Sequence, residues 1–239
     1  MIEEKWLKEY DHNKSKLRPL HDLNSYFNSE EINGIKLDKL CIGDITIPTG
    51  KIMAFDPLVS YDKEYATYIQ EVPVGKFPLT ISVAILEDWG EKYAGVMVEF
   101  SDKIAIRYEQ GLTGSEDLKD LEEGDYFGFF VDAGLATIMD SKTNEAYCEF
   151  IDKWYKENPD GEIYDDLFYD LFENSYSNNP KYQREVGDWI MWQIPDTEFV
   201  VPMFASGFGD GVYPVYFGYD EDDNVCNIII HFIDLINEV

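Results

Sequence analysis

Positive charge is what this chain of 239 residues has least of, since 19 Lys and Arg face 48 Asp and Glu and give a formal net charge of −29. A surface this negative repels phosphate backbones and anionic membranes, so we expect neither nucleic acid nor a membrane as a partner. It suits either solubility alone or fast association with a basic protein through long-range attraction. The charge therefore leaves both of these interpretations open.

Cysteine and histidine are also scarce, with three of each. Cys41, Cys148 and Cys226 are far apart and odd in number, which excludes a disulfide framework and favours reduced thiols in a cytoplasm. The histidines show no metal-ligand spacing, so we expect no metal and no other cofactor. No secretory signal pattern opens the sequence, and no apolar run approaches the roughly 20 residues of a membrane helix. We therefore predict a cytoplasmic protein.

Apolar segments here are short and are separated by Gly, Pro and acidic turns. Hydrophobic residues make up 45% of the chain and aromatic residues 15%, which is enough for a packed core rich in strands. This spacing predicts an α+β fold of mainly antiparallel strands, arranged as a meander or sandwich, rather than parallel βαβ units. The predicted strands are 45–48, 51–55, 65–72, 79–86, 93–100, 104–108, 187–194, 199–204, 212–219 and 225–232.

Details of the pattern refine this prediction. Thr49-Gly50 predicts a hairpin turn between the first two strands. Alternation in 79–86 places Leu79, Ile81, Val83 and Ile85 on one face of a strand. In 187–194 the same rule places Trp189 with Met191 on one face, and Ile190 with Trp192 on the other.

Helical spacing occurs in two places. Trp6 and Tyr10 predict an N-terminal helix, followed by a connection to about residue 40. Around 143–175 two amphipathic stretches predict a two-helix insertion, whose first helix starts after Asp140 and stops before Asn158-Pro159. No linker or repeat divides the chain, so we predict a single α+β domain over 1–239, with its body at 41–239.

Familiar catalytic and metal motifs fail on inspection. The acidic run 220–224 begins like a calcium loop but has Val225 where Gly is needed and His231 where Glu is needed, so it predicts a polar turn between strands. Gly50-Lys51 lacks the other residues of a phosphate-binding loop, and Ser206 lacks the preceding Gly of a nucleophile elbow. We therefore assign no catalytic residue.

The segment 204–214 is harder to explain by packing alone. Its alternating glycines imply positive φ or close approach of the backbone to another group. It is either a tight turn in which Asp210 bonds local amides, or a loop that contacts a ligand. Asp132 and Asp140 either join Asp210 in one acidic site or cap turns and the helix that follows Asp140. The candidate ligand-binding residues are Asp132, Asp140, Gly207, Gly209, Asp210 and Tyr213.

Three blocks of sequence, 42–59, 131–140 and 206–220, together resemble a largely bacterial family known as domain of unknown function 4241. The resemblance covers about residues 40–235, in the same order along the chain. Because no activity is established for that family, the resemblance implies no catalytic residue. It marks positions within the blocks, such as Asp56, Asp132 and Asp210, as ones to probe.

Two functional hypotheses follow. The first is an acidic binding protein without catalysis of its own, for example an immunity-type inhibitor of a basic toxin or nuclease. The second is a carboxylate-based hydrolase, or a domain that binds carbohydrate or another small ligand through the Asp210 loop. A deep pocket converging on Asp132, Asp140 and Asp210 favours the second hypothesis. An acidic face with exposed aromatic residues favours the first.

Overall fold

Segments with alternating apolar side chains form thirteen β-strands within residues 3–237, the part of the chain that this computed structural model describes. Every strand pairing in that part is antiparallel, which confirms the predicted α+β class with mainly antiparallel strands. The strands are β1 (Glu31–Ile32), β2 (Ile35–Ile47), β3 (Ile52–Phe55), β4 (Gly75–Leu86), β5 (Gly90–Glu99), β6 (Arg107–Gln110), β7 (Phe129–Val131), β8 (Leu135–Asp140), β9 (Trp189–Gln193), β10 (Val200–Ala205), β11 (Gly211–Tyr213), β12 (Val215–Tyr219) and β13 (Val225–His231).

The larger sheet has seven strands in the order β1-β2-β4-β5-β13-β12-β6. The carboxy-terminal hairpin of β12 and β13 lies beside β5, so the sheet is not a simple meander. The polar turn predicted at 220–224 joins these two strands. Its Asp220 carboxylate accepts hydrogen bonds from the backbone amides of Asp222 and Asn224, each at 2.9 Å, which confirms a turn held by local bonds.

A smaller sheet of four strands, in the order β3-β8-β10-β9, is buried on both faces. Along β9, Trp189 and Met191 pack into the core shared with the larger sheet, whereas Ile190 and Trp192 pack against the helices, as the alternation predicts. Because a sheet covered on both faces buries every position, strand Ile52–Phe55 is apolar throughout.

Helices cover two regions of the sheets. The predicted N-terminal helix is confirmed, and its Trp6 and Tyr10 rings stack with centroids 5.4 Å apart. The two-helix insertion is also confirmed, and a π-helical turn at Tyr164–Phe168 leads into its second helix. The α-helices are α1 (Glu4–Asn13), α2 (Ser25–Asn28), α3 (Ser141–Glu157) and α4 (Tyr169–Asn178).

The hairpin predicted at Thr49-Gly50 is wrong. Strand β2 pairs with β4, and β3 pairs with β8, so the chain crosses from one sheet to the other at this turn. Gly50 does adopt a positive φ of 79°. The local turn signal was therefore genuine, but distant strands determine which partner each side takes.

The predicted strand at 65–72 is wrong too. Within residues 3–237 this segment has one isolated bridge, between Lys51 and Glu71, and is otherwise irregular. Its amides bond singly to scattered carbonyls, such as Tyr68 N to Ile52 O at 2.9 Å. An aromatic, apolar composition therefore reflects burial here rather than a strand ladder.

Three predicted strands need their positions corrected. The segment 212–219 divides at Pro214, which has no amide to donate, into β11 and β12 in different sheets. The strand predicted at 104–108 begins only at Arg107. In β4, Ile85 is exposed although its face was predicted to be buried, because it pairs with Glu91 close to the turn at the end of the β4–β5 hairpin.

Candidate binding site at the glycine-rich loop

Asp140 is buried and fully engaged by the fold. One carboxylate oxygen accepts hydrogen bonds from the Thr49 amide at 2.9 Å, the Thr49 hydroxyl at 2.8 Å and the Gly50 amide at 3.1 Å. The other accepts the amide of Lys142 at 2.9 Å and so caps α3. Of the two roles predicted for Asp140, the structure shows the capping role.

Asp132 lies at the other end of β8 and is exposed. The six residues of that strand extend over about 20 Å, so Asp132 and Asp140 do not share a site. Sequence reasoning gave no role to nearby Asp56, which is fully buried. Its carboxylate accepts the amides of Asp132 at 3.0 Å and Ala133 at 2.6 Å and thereby holds this turn. Asp140 is therefore not part of a three-aspartate site, although the antiparallel pairing of Gly211 with Val131 brings Asp210 beside Asp132.

The glycine-rich loop connects β10 to β11. Gly207 and Gly209 have φ of 54° and 110°, which confirms the predicted positive φ. The amide of Gly209 donates to Ser206 O at 2.7 Å, and the Ser206 hydroxyl donates to Gly209 O at 2.8 Å. The Tyr213 hydroxyl lies 2.7 Å from the same Gly209 oxygen. The loop is thus a tight turn fixed by its own hydroxyl groups.

Asp210 does not supply those bonds. It is exposed, and within residues 3–237 its carboxylate accepts no hydrogen bond from a local amide, contrary to one of the two sequence interpretations. Ser206 and Tyr213 take that role instead. The carboxylate of Asp210 is consequently available to a molecule that approaches the loop.

Two cavities flank the loop. The first, of about 520 Å³, is lined by loop residues 206–209 together with Tyr93, Tyr164 and the segment 182–188. The second, of about 440 Å³, is lined by residues 210–214 together with parts of segments 18–23 and 231–234. Phe208 lines both. The glycine-rich loop therefore contributes to the lining of two cavities, each in the size range of small-ligand sites.

The polar groups of the first cavity are largely paired with one another. Arg184 Nε donates to Asp188 Oδ1 at 2.7 Å, and Asp188 is buried. The Tyr93 hydroxyl donates to Tyr182 O at 2.9 Å. Burial, reinforced by the negative charge of Asp188, raises the pKa of Tyr93. These bonds fix the shape of the cavity and leave its aromatic walls as the main surface for contact.

Exposed aromatic rings lie beside this cavity. Trp89, 65% exposed, and Phe208, 51% exposed, meet edge to face with ring centroids 5.7 Å apart. Val186, on the cavity wall, is exposed as well. The carboxylates within two residues of these apolar side chains are exposed, except that of Asp188, which is buried. We call this set the acidic aromatic surface: Trp89, Val186 and Phe208 with Glu87, Asp88, Glu91, Glu185 and Asp210.

Sequence reasoning missed Trp89. Its signal was a tryptophan within the polar turn Asp88-Trp89-Gly90 between two strong strands, where no core position is available. Phe208 was visible in the glycine-rich segment but was not selected. The sequence does not reveal that Trp89 and Phe208 are in contact, because 119 positions separate them along the chain.

Comparison with known proteins gives a family but no activity. A family model described as protein of unknown function (DUF4241) matches residues 45–230, which is most of the chain. No curated protein and no solved structure matches. Among residues 3–237, no helix combines the length and apolar character needed to cross a membrane. In that same part, no three or more His, Cys, Asp or Glu side chains are grouped to hold a metal ion.

Proposed function

The chain belongs to the family of unknown function DUF4241, and we propose that it is a non-catalytic binding protein whose acidic aromatic surface captures a basic protein. The observation that carries this proposal is the contact between the exposed rings of Trp89 and Phe208, which exposed carboxylates flank along the chain. An immunity-type inhibitor of a basic toxin or nuclease is one form that such a protein takes.

The aromatic pair supplies binding energy. Large exposed apolar side chains in mutual contact mark interaction surfaces, because exposing them to water is unfavourable. Tryptophan is also enriched among the few interface residues that contribute most of the affinity. Phe208 lies within the hydrogen-bonded turn of residues 206–209, and Trp89 lies in the turn of the β4–β5 hairpin. Because both backbones are held by the fold, little backbone entropy is lost on binding.

The carboxylates supply charge complementarity. Five exposed carboxylates lie within two residues of Trp89, Val186 or Phe208 along the chain, and the helical layer of residues 141–178 adds to the negative field. Residues 141–178 contain ten Asp and Glu, all exposed, against three Lys. A field of this sign speeds encounters with basic proteins and opposes nucleic acids, which the composition also predicts.

The test compares two pairs of exposed apolar residues. The immobilised protein is used to capture basic proteins from lysate of its source, and the affinity for the captured protein is then measured for two double variants. Trp89→Ala with Phe208→Ala should weaken binding by more than about tenfold. Ile104→Ala with Ile106→Ala, equally exposed but distant along the chain, should leave it unchanged. The reverse pattern, or equal affinity for all three proteins, would refute the proposal.

A second candidate is carbohydrate binding in the first cavity. It is favoured by the aromatic wall of that cavity, where Tyr164, Tyr182 and Phe208 offer surfaces on which sugar rings stack. Screening an oligosaccharide panel against the wild-type protein and a Tyr164→Ala variant tests it. Saturable binding that Tyr164→Ala abolishes, in a protein that captures no basic partner, would favour this candidate.

A further inference from the structure

The second cavity is lined by Phe208 and residues 210–214, at the end of the glycine-rich loop and after it. Four separate parts of the chain enclose it: the connection after α1, the segment with Gly124 and Tyr126, the residues at and after the end of the loop, and the end of β13 with the residues that follow it. With a volume of about 440 Å³ it is large enough for a small organic molecule. Of the residues used in the proposed function, only Phe208 and Asp210 line this cavity.

Cationic and hydrogen-bonding groups collect in this cavity, against the trend of the chain. Arg18, His21 and His231 all line it, although the chain has three Arg and three His in total. Arg18 is exposed and has no carboxylate partner within residues 3–237. A guanidinium group presents paired donors that match a carboxylate or a phosphate.

The carboxylates of the cavity do not neutralise this group. Asp234 already accepts the amides of Ile236 at 2.9 Å and Asn237 at 3.1 Å, and its other oxygen lies 3.9 Å from His21 Nε2. Asp210 is exposed at the edge. Arg18, on the lining of the cavity, is therefore available to pair with an anionic group.

His231 provides an independent indication of a ligand. Its Nε2 is buried and finds no hydrogen-bond partner within residues 3–237. The ring packs edge to face on Tyr26 with centroids 4.9 Å apart, which fixes its orientation. Buried polar atoms in folded proteins almost always have a partner, so this nitrogen indicates a bound group that completes it.

The remaining walls are apolar or aromatic. Tyr126, Tyr216 and Phe232 contribute rings, and Leu20 and Pro214 contribute aliphatic surface. Such walls suit a planar, weakly polar body, since aromatic faces pack well against flat rings. The lining therefore offers polar groups for one part of a ligand and rings for another.

We propose that this second cavity binds a small organic anion with a planar ring. Its carboxylate or phosphate pairs with Arg18, its ring packs against Tyr126 and Tyr216, and a polar substituent hydrogen-bonds the imidazole of His231. The site shares only Phe208 and Asp210 with the acidic aromatic surface and uses neither in these contacts, so it goes beyond the proposed function and is tested independently of it.

Two probes separate the sources of the anionic group. Titration calorimetry with 4-hydroxybenzoate, a carboxylate, and with adenosine 5′-monophosphate, a phosphate, should give a dissociation constant below about 1 mM for at least one. Arg18→Ala should weaken that binding at least about tenfold. Lys156→Ala, which removes the same charge from the helical layer, should leave it unchanged. Trp89→Ala should also leave it unchanged, which distinguishes this site from the partner surface.

His231→Gln provides the second variant. It should weaken binding of the same probe while circular dichroism and the melting temperature show a folded protein. Binding of neither probe up to about 1 mM would overturn the proposal. Equal affinity of the wild-type protein and the folded Arg18→Ala variant would overturn it as well.

Discussion

The carboxylates of this protein fall into two groups that the sequence does not distinguish. Asp56 and Asp140 are fully buried and bind backbone amides, so they hold turns together. Glu87, Asp88 and Asp210 are exposed and lie within two residues of the exposed rings of Trp89 and Phe208 along the chain. The first group acts on the fold and the second on whatever approaches it. An excess of acidic residues therefore indicates a binding surface only where the carboxylates are free of internal partners.

The largest difference in stability should appear between two variants at opposite ends of β8, one that removes a buried carboxylate and one that removes an exposed carboxylate. Asp140→Ala deprives three backbone or hydroxyl donors of Thr49 and Gly50, and the first turn of α3, of their acceptor. We expect a loss of about 3–5 kcal/mol in the free energy of unfolding. Asp132→Ala, exposed, should cost less than about 0.5 kcal/mol.

Denaturant titration of both variants measures this contrast. Similar stabilities for Asp132→Ala and Asp140→Ala would mean that the division into internal and external carboxylates is wrong.

The comparison of buried and exposed groups extends to the pH dependence of stability through His231, whose Nε2 is buried. Burial lowers the pKa of His231 from 6.5 to about 4, against the opposing effects of Asp234 and the Ile233 backbone. The unfolded chain therefore takes up a proton near pH 6.5 that the folded chain does not, so this residue should cost stability as pH falls from 7 to 4. The maximum cost is about 3 kcal/mol.

The His231→Gln variant removes this cost, so its stability relative to wild type should rise as the pH is lowered across that window. Chemical denaturation at several pH values measures the difference. A constant difference between the two proteins would show that the His231 ring titrates normally in the folded state.

The glycine-rich loop tests a smaller effect of backbone conformation. Gly209 has a φ of 110°, and no heavy atom lies within 4 Å of the position that a Cβ would take. Gly209→Val should therefore destabilise the protein through backbone strain alone, by about 1–3 kcal/mol. Asp210→Ala, next to it and exposed, should have no such effect. An unchanged melting temperature for Gly209→Val would show that the loop relaxes freely.

Much of the fold was predictable because local patterns carry it. Alternation located β9 and assigned Trp189 and Ile190 to opposite faces, and Asp140 marked the start of α3. The hairpin at Thr49-Gly50 failed because both flanking strands pair with segments distant in sequence. Propensity indicates that a turn forms there, but not which strands its two sides will join.

The site was predictable only in part, for the same reason. Positive φ at Gly207 and Gly209 follows from residue type, and the structure has it. The grouping of Asp140 with Asp210 failed because the partners of Asp140 lie 91 residues away, at Thr49. The contact of Trp89 with Phe208 likewise depends on tertiary packing. Whether the candidate residues of this loop bind a ligand stays a prediction.

Association kinetics test the central proposal, capture of a basic protein by the acidic aromatic surface, most directly. A triple variant with Glu87→Gln, Asp88→Asn and Asp210→Asn should associate with the captured partner more slowly at low salt and keep a nearly unchanged dissociation rate. The control, Asp165→Asn with Asp166→Asn and Asp170→Asn, removes the same charge from the helical layer and should slow association less. Raising the salt concentration shortens the screening length from about 30 Å to about 8 Å, so the association rates of the wild type and the two triple variants should become similar. Equal association rates for the two triple variants and wild type at low salt would contradict the account.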